Sequence, residues 1–248
     1  MLPIRDDNPH FLAPIVTLGL IGLNVYCWLV LQGAGLAADL LEGSVCTLGL
    51  IPAELLRSSA SGTICPIGDP DWLDAVTSMF MHGSWGHILG NMWFLWIFGN
   101  NVEDSMGHVR FAFFYLLCGL AAAALQIGAD PTSVVPMVGA SGAIGGVMGA
   151  YVVLYPRVHV HLLVILGFYV TTVAVPAVFM LGYWFVMQLL GGWAGSTEQG
   201  GVAFWAHIGG FLSGAVLVFV FRDPKLLSRH PYRGWTHAGG PGRSWRRV

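Results

Sequence analysis

The sequence predicts an all-α polytopic membrane protein, one bundle of six transmembrane helices. Three observations carry that prediction. Only 10% of the 248 residues are charged and 55% are hydrophobic, whereas soluble domains carry about 25% charge. Apolar stretches near the ~20 residues that a bilayer crossing requires recur along the chain. The 34 glycines are about twice the average share of ~7%, and in a membrane such an excess lets helices approach through small faces.

The spans fall at about 11–31, 78–98, 109–127, 137–154, 172–190 and 203–221. The first follows MLPIRDDNPH and is too long for the apolar core of a cleaved signal, so it reads as a retained anchor. The second contains HGSWGHILGN, and the third follows the turn at 99–108. The fourth opens at G-A-S-G, where Ser141 leads sixteen residues without a charge. Residues 159–190 form one apolar run of 32, short of the ~40 that two spans need. It reads as one span after Pro176, preceded by an interfacial or partly inserted stretch around Leu162–Tyr169. The sixth carries His207 near its start. The resulting organisation is an N-terminus of residues 1–10, a membrane domain of 11–221 and a basic tail of 222–248, with no repeat and no nucleic-acid patch.

Charge orients this layout. Six spans put residues 1–10, both short turns and the tail on one side, with Arg5, Arg110, Arg157 and the seven basic residues of the tail. Only Arg57 lies opposite, together with eight of the thirteen acidic residues. The positive-inside rule then puts both termini in the cytoplasm.

Hydrogen-bonding groups inside spans are costly and mark function. At depth stand His82, His87 and Asn91 in span two, Ser141 in span four and His207 in span six. These spans run the same way, so the polar groups occupy one level in the outer half. His87 and Asn91 share a helix face at i, i+4. Ser141, Gly145 and Gly149 form one small stripe, and His207, Gly210 and Gly214 another. Close approach of these stripes brings a hydroxyl to an imidazole, which can take its proton. The alternative reading is a serine that packs helices together and histidines that serve as structural hydrogen-bonders.

Cys27 and Cys118 lie within spans and behave as small buried hydrophobes. Cys46 and Cys65 share the long first external loop, where either a disulfide or two reduced, packed thiols fit the sequence. No His/Cys cluster suggests a metal; His159 and His161 read as interfacial.

Three stretches together resemble the rhomboid intramembrane serine proteases, in their bacterial-type, six-span form. They are the H-x4-H-x3-N run from His82 to Asn91 with NVEDSMG after it, GASGAIGGVMG from Gly139, and AHIGGFLSG from Ala206. The resemblance covers about 11–222. It implies Ser141 as nucleophile and His207 as general base, with no metal and no cofactor. It implies His87, Asn91 and the Ser141 backbone N–H as oxyanion donors, and His82 and Glu103 as structural residues. The location it implies is a bacterial inner membrane, and the expected substrates are transmembrane segments of other proteins, cut near the outer membrane face. The expected gate is span five, with the loop 191–201 as a cap. Two departures stand out. The family often places an aromatic ring four residues after the serine, where this chain has Gly145. It commonly has Trp-Arg before span two, where this chain has Trp72-Leu73. The rival readings are a non-catalytic relative that binds membrane proteins for quality control, and a small-solute transporter.

Overall fold

The computed structural model describes residues 2–58, 65, 66, 68–194 and 202–233. Local chemistry fixes where its helices begin and end. The Ser84 hydroxyl accepts the His87 backbone N–H at 3.2 Å, capping α5, Trp85–Met106, where helix amides otherwise lack partners. Gly107 stops that helix at φ +78°, and α6, His108–Ala129, starts at once.

The first helix is capped from a distance. α1, Ile15–Tyr26, continues into a π-helical turn at Cys27–Leu31. The Glu103 carboxylate accepts Val16 N–H, Thr17 N–H and the Thr17 hydroxyl at 2.9, 2.8 and 2.7 Å. A negative charge at a helix N-terminus is favourable, and this one ties α1 to the far end of α5. Asp104 beside it accepts the N–H groups of Phe11 and Leu12 at 2.6 and 2.9 Å and faces His230 Nε2 at 3.1 Å. Glu103 and Asp104 together hold the segment Phe11–Thr17 against the end of α5.

The centre of the bundle is α7, Ser141–Leu154. All but three of its fourteen residues are buried, against α5, α6 and α9, Phe204–Phe221. The α7–α9 contact is made backbone to backbone. A Cβ on Gly210 would collide with the Gly142 carbonyl, one on Gly214 with the Gly146 carbonyl, and one on Gly149 with the Phe211 carbonyl. These are the small stripes read from the sequence. α8, Ala177–Trp193, is held more lightly, with only Ala177, Leu181, Gln188 and Gly192 buried.

At one end of the bundle the loops contain α2, Ala38–Leu48, α3, Pro52–Leu55, and α4, Asp74–Thr77. A disulfide joins Cys46 to Cys65 there, with the Cα atoms 5.3 Å apart, while Cys27 and Cys118 are buried free thiols.

The opposite end corrects the all-α expectation. β1, Leu2–Asp6, β2, His159–Leu166, and β3, Tyr169–Pro176, form an antiparallel sheet in that order. Residues 159–176 are therefore a β-hairpin, and the following helix starts at Ala177, directly after Pro176 as read from the sequence, rather than at the 172 given for the outer edge of the span. The reason is composition: Val, Ile, Thr and Tyr favour a pleated strand, and Gly167 at φ +60° turns the chain back. The outer edge of β3 has no strand partner among the described residues, and bare edges do not survive in hydrocarbon. The sheet packs on the bundle through Asp6, which accepts the Tyr151 hydroxyl and, at 2.9 Å, the Asn101 amide. Burial, only partly offset by these bonds, pushes the Asp6 carboxyl up to about 7. A short α10, Pro224–Leu227, capped by Asp223, follows α9.

The chain is thus mostly helical, with a minor sheet. By length and composition α6 and α9 are the two helices, among the described residues, long and apolar enough to cross a membrane unaided.

Candidate active site

The loop before α7 is fixed on both sides. Met137 and Leu50 exchange backbone hydrogen bonds at 2.8 and 3.0 Å, and Gly139 N–H donates to the Ser78 carbonyl at 2.8 Å. Gly139 adopts φ +116°, and a Cβ there would stand 2.6 Å from His87 Nε2. Both the conformation and the contact require glycine. Two residues later Ser141 opens α7, half-buried, with its hydroxyl directed at α9.

His207 lies in the first turn of α9, and its Nε2 is 2.8 Å from Ser141 Oγ. Its Nδ1 is 2.8 Å from Gln188 Oε1 on α8. The Gln188 amide nitrogen donates to the Trp184 carbonyl at 3.3 Å, which assigns the oxygen to the histidine side. That oxygen can only accept, so Nδ1 carries the proton and Nε2 offers a lone pair to the serine hydroxyl. The Trp184 ring lies against the imidazole, centroids 5.7 Å apart and planes 39° apart. Gln126 on α6 accepts the Ala206 N–H at 3.2 Å and pins the start of α9.

His87 and Asn91 project from one face of α5. His87 Nδ1 accepts the Gly83 N–H at 3.4 Å, which leaves Nε2–H toward Gly139. Asn91 Nδ2 donates to His82 Nε2 at 3.0 Å, and the His82 and His87 rings meet edge to face at 5.0 Å. The His82 backbone exchanges hydrogen bonds with the Gln32 side chain at 2.7 and 2.8 Å, joining the end of α1 to the start of α5.

Ser141, His207, His87, Asn91 and Trp184 all line one cavity of about 650 Å³. The polar groups that the sequence singled out on three separate spans therefore meet, with His82 just behind Asn91. The arrangement offers a hydroxyl bonded to a neutral imidazole, with further donors across a space large enough for an extended peptide segment and water. Gln188 and Trp184 are the members that sequence reasoning passed over. Gln188 is the one amide in the apolar run 177–193, and that was the available signal. Part of the expected cap, residues 195–201, lies outside the described residues.

Comparison with known proteins gives a consistent result. The Rhomboid domain family model matches residues 69–224. The chain is 32% identical over 166 residues to the chloroplastic Rhomboid-like protein 11 of Arabidopsis thaliana, covering 65% of this chain and 55% of that protein. It is 28% identical over 189 residues to the mitochondrial RHOMBOID-like protein 6 of the same plant, 71% of this chain and 53% of that one. With the mitochondrial Rhomboid protein 1 of Saccharomyces cerevisiae it shares 28% over 151 residues, 58% of this chain and 40% of that one. The chain spans about half the length of these relatives.

Proposed function

The chain belongs to the rhomboid family, a membrane-embedded protease family, and from that premise we propose that it is an intramembrane serine endopeptidase. The observation that carries the reading is the 2.8 Å separation of Ser141 Oγ and His207 Nε2, with the Gln188 side-chain carbonyl oxygen 2.8 Å from Nδ1 on the other side of the ring. His207 takes the hydroxyl proton as Oγ attacks the scissile carbonyl carbon. The oxyanion that forms is met by the Ser141 backbone N–H, His87 Nε2–H and the second hydrogen of Asn91 Nδ2, donors aimed at developing charge. His207 then gives its proton to the leaving amine. Water hydrolyses the acyl-enzyme with the same imidazole as base, and the serine is restored. The pair is a dyad, because the partner of His207 Nδ1 is an amide and not a carboxylate.

In this reading the six long helices cross the bilayer, with the sheet and both ends of the chain on the cytoplasmic side of a bacterial inner membrane. α7 has 14 residues, about 21 Å at 1.5 Å per residue, against a hydrocarbon core of ~30 Å. With its C-terminal end level with the sheet face, Ser141 lies below the outer surface and reaches water through the cavity. Substrates are transmembrane segments that unwind near that surface, since a helix keeps its carbonyls bonded and shielded. The lightly held α8 is the side through which they enter.

A fluorophosphonate probe and a model transmembrane substrate test the reading. The intact protein should label and cleave, while Ser141→Ala and His207→Ala should do neither, with unchanged helical content. Because the two act as a unit, the double variant should be no worse than either single one. Substantial proteolysis by purified Ser141→Ala protein would refute it. A non-catalytic binder of membrane proteins would not label at all.

A further inference from the structure

We propose that Gln188 is the positioning residue of the catalytic histidine, doing with a neutral amide on α8 what a carboxylate does in a Ser-His-Asp triad. The inference rests on the dyad reading above and adds to it the device that fixes the tautomer.

The geometry leaves Gln188 one arrangement. Its side chain is 8% exposed on a helix whose other faces are largely open, and a buried amide left without partners costs free energy. Its nitrogen is taken by the Trp184 carbonyl one turn earlier, so its oxygen is free to hold His207 Nδ1–H. An imidazole without that acceptor can place its proton on either nitrogen. With the proton on Nε2 it would face the Ser141 hydroxyl donor to donor, and no base would be present. Wrong-tautomer loss of this kind is the reason the triad carboxylate matters.

Trp184 completes the support from the same helix face, four residues before Gln188. Gly145 on α7 has no side chain to offer, and a Cβ there would be a tight contact, 3.0 Å from the His207 carbonyl oxygen, where α7 and α9 meet. The imidazole is thus held at its edge by Gln188 and on its face by Trp184, both from α8.

The test combines turnover with a direct view of the proton. In ¹⁵N NMR of the intact protein in detergent or nanodiscs, His207 should show a protonated Nδ1 and an unprotonated Nε2. Gln188→Leu should lose that pattern and give mixed tautomers. Its kcat should fall roughly 10- to 100-fold, the scale of one hydrogen bond to a group that becomes charged, with KM within about twofold. Gln188→Glu keeps the shape and an acceptor, so it should keep the Nδ1–H tautomer and recover most of the kcat. It also carries the test should Gln188→Leu fail to fold. A Gln188→Leu protein with wild-type kcat, or a folded Gln188→Glu protein as inactive as Gln188→Leu, would overturn the proposal. So would wild-type protein with its His207 proton on Nε2. Should the wild-type protein neither label nor cleave, the dyad reading falls by itself, while the tautomer measurement still decides what Gln188 does.

Discussion

The Asn91 amide uses one hydrogen on His82 and leaves the other for the cavity, so two variants separate its roles. In the proposed mechanism Asn91→Ala removes a donor to the oxyanion, and it should then lower kcat by about 10²–10³ with little change in KM. His82→Ala leaves the donor present but unheld, and a smaller loss in kcat is expected. Steady-state kinetics on the model substrate check both, and an effect confined to KM would make Asn91 a substrate-binding residue. At this scale the site was largely legible. Ser141, His207, His87 and Asn91 stand out because hydrogen-bonding groups are expensive in apolar spans. Gln188 was not legible, because it is uncharged, belongs to no motif and lies 19 positions from its partner across a loop. The capping of a helix 86 residues upstream by Glu103 leaves no mark in local sequence.

Among the elements, the α7–α9 contact is the one that cannot yield. Gly210→Ala places a methyl group into the Gly142 carbonyl, and overpacking of this kind costs about 1–3 kcal/mol. It should lower the thermal midpoint in detergent and, by parting the two helices, weaken fluorophosphonate labelling of Ser141 as well. The sheet offers a pH prediction. Asp6 titrates in the folded protein at about 7, above the ordinary 3.8, so the native state holds that proton more tightly than the unfolded chain does. The stabilisation is complete below about pH 4, falls as pH rises, and is gone above about 7. Asp6→Asn should remove this part of the pH dependence and make the protein more stable than wild type at pH 8, as paired melts at pH 5 and pH 8 would show. The helices were legible from apolar length, and the small stripes from glycine spacing. The hairpin was not, because a run that is apolar on both strands gives the same hydropathy as a buried helix. Its β-branched content and Gly167 were the discriminating signs.

For the molecule as a whole, the loop end and the sheet end are closed by different means. The Cys46–Cys65 bridge closes a loop of 19 positions, worth about 3 kcal/mol in the chain-entropy model. Reductant, or Cys46→Ser, should lower the midpoint of thermal unfolding accordingly. Mass spectrometry of unreduced, alkylated protein should find Cys27 and Cys118 labelled after denaturation, and Cys46 and Cys65 not. The sheet end is closed without a covalent bond, and its strands come from distant parts of the chain: Leu2 pairs with Leu163. At ~5–20 residues per second of synthesis, β1 waits roughly 8–30 s after leaving the ribosome before its partner strand exists. Asp104 becomes available to grip Phe11 and Leu12 well before that. Biogenesis therefore has an order written into the fold, in which the first helix is tethered at its base early and the clasp beneath it shuts only after the serine-bearing helix has been made.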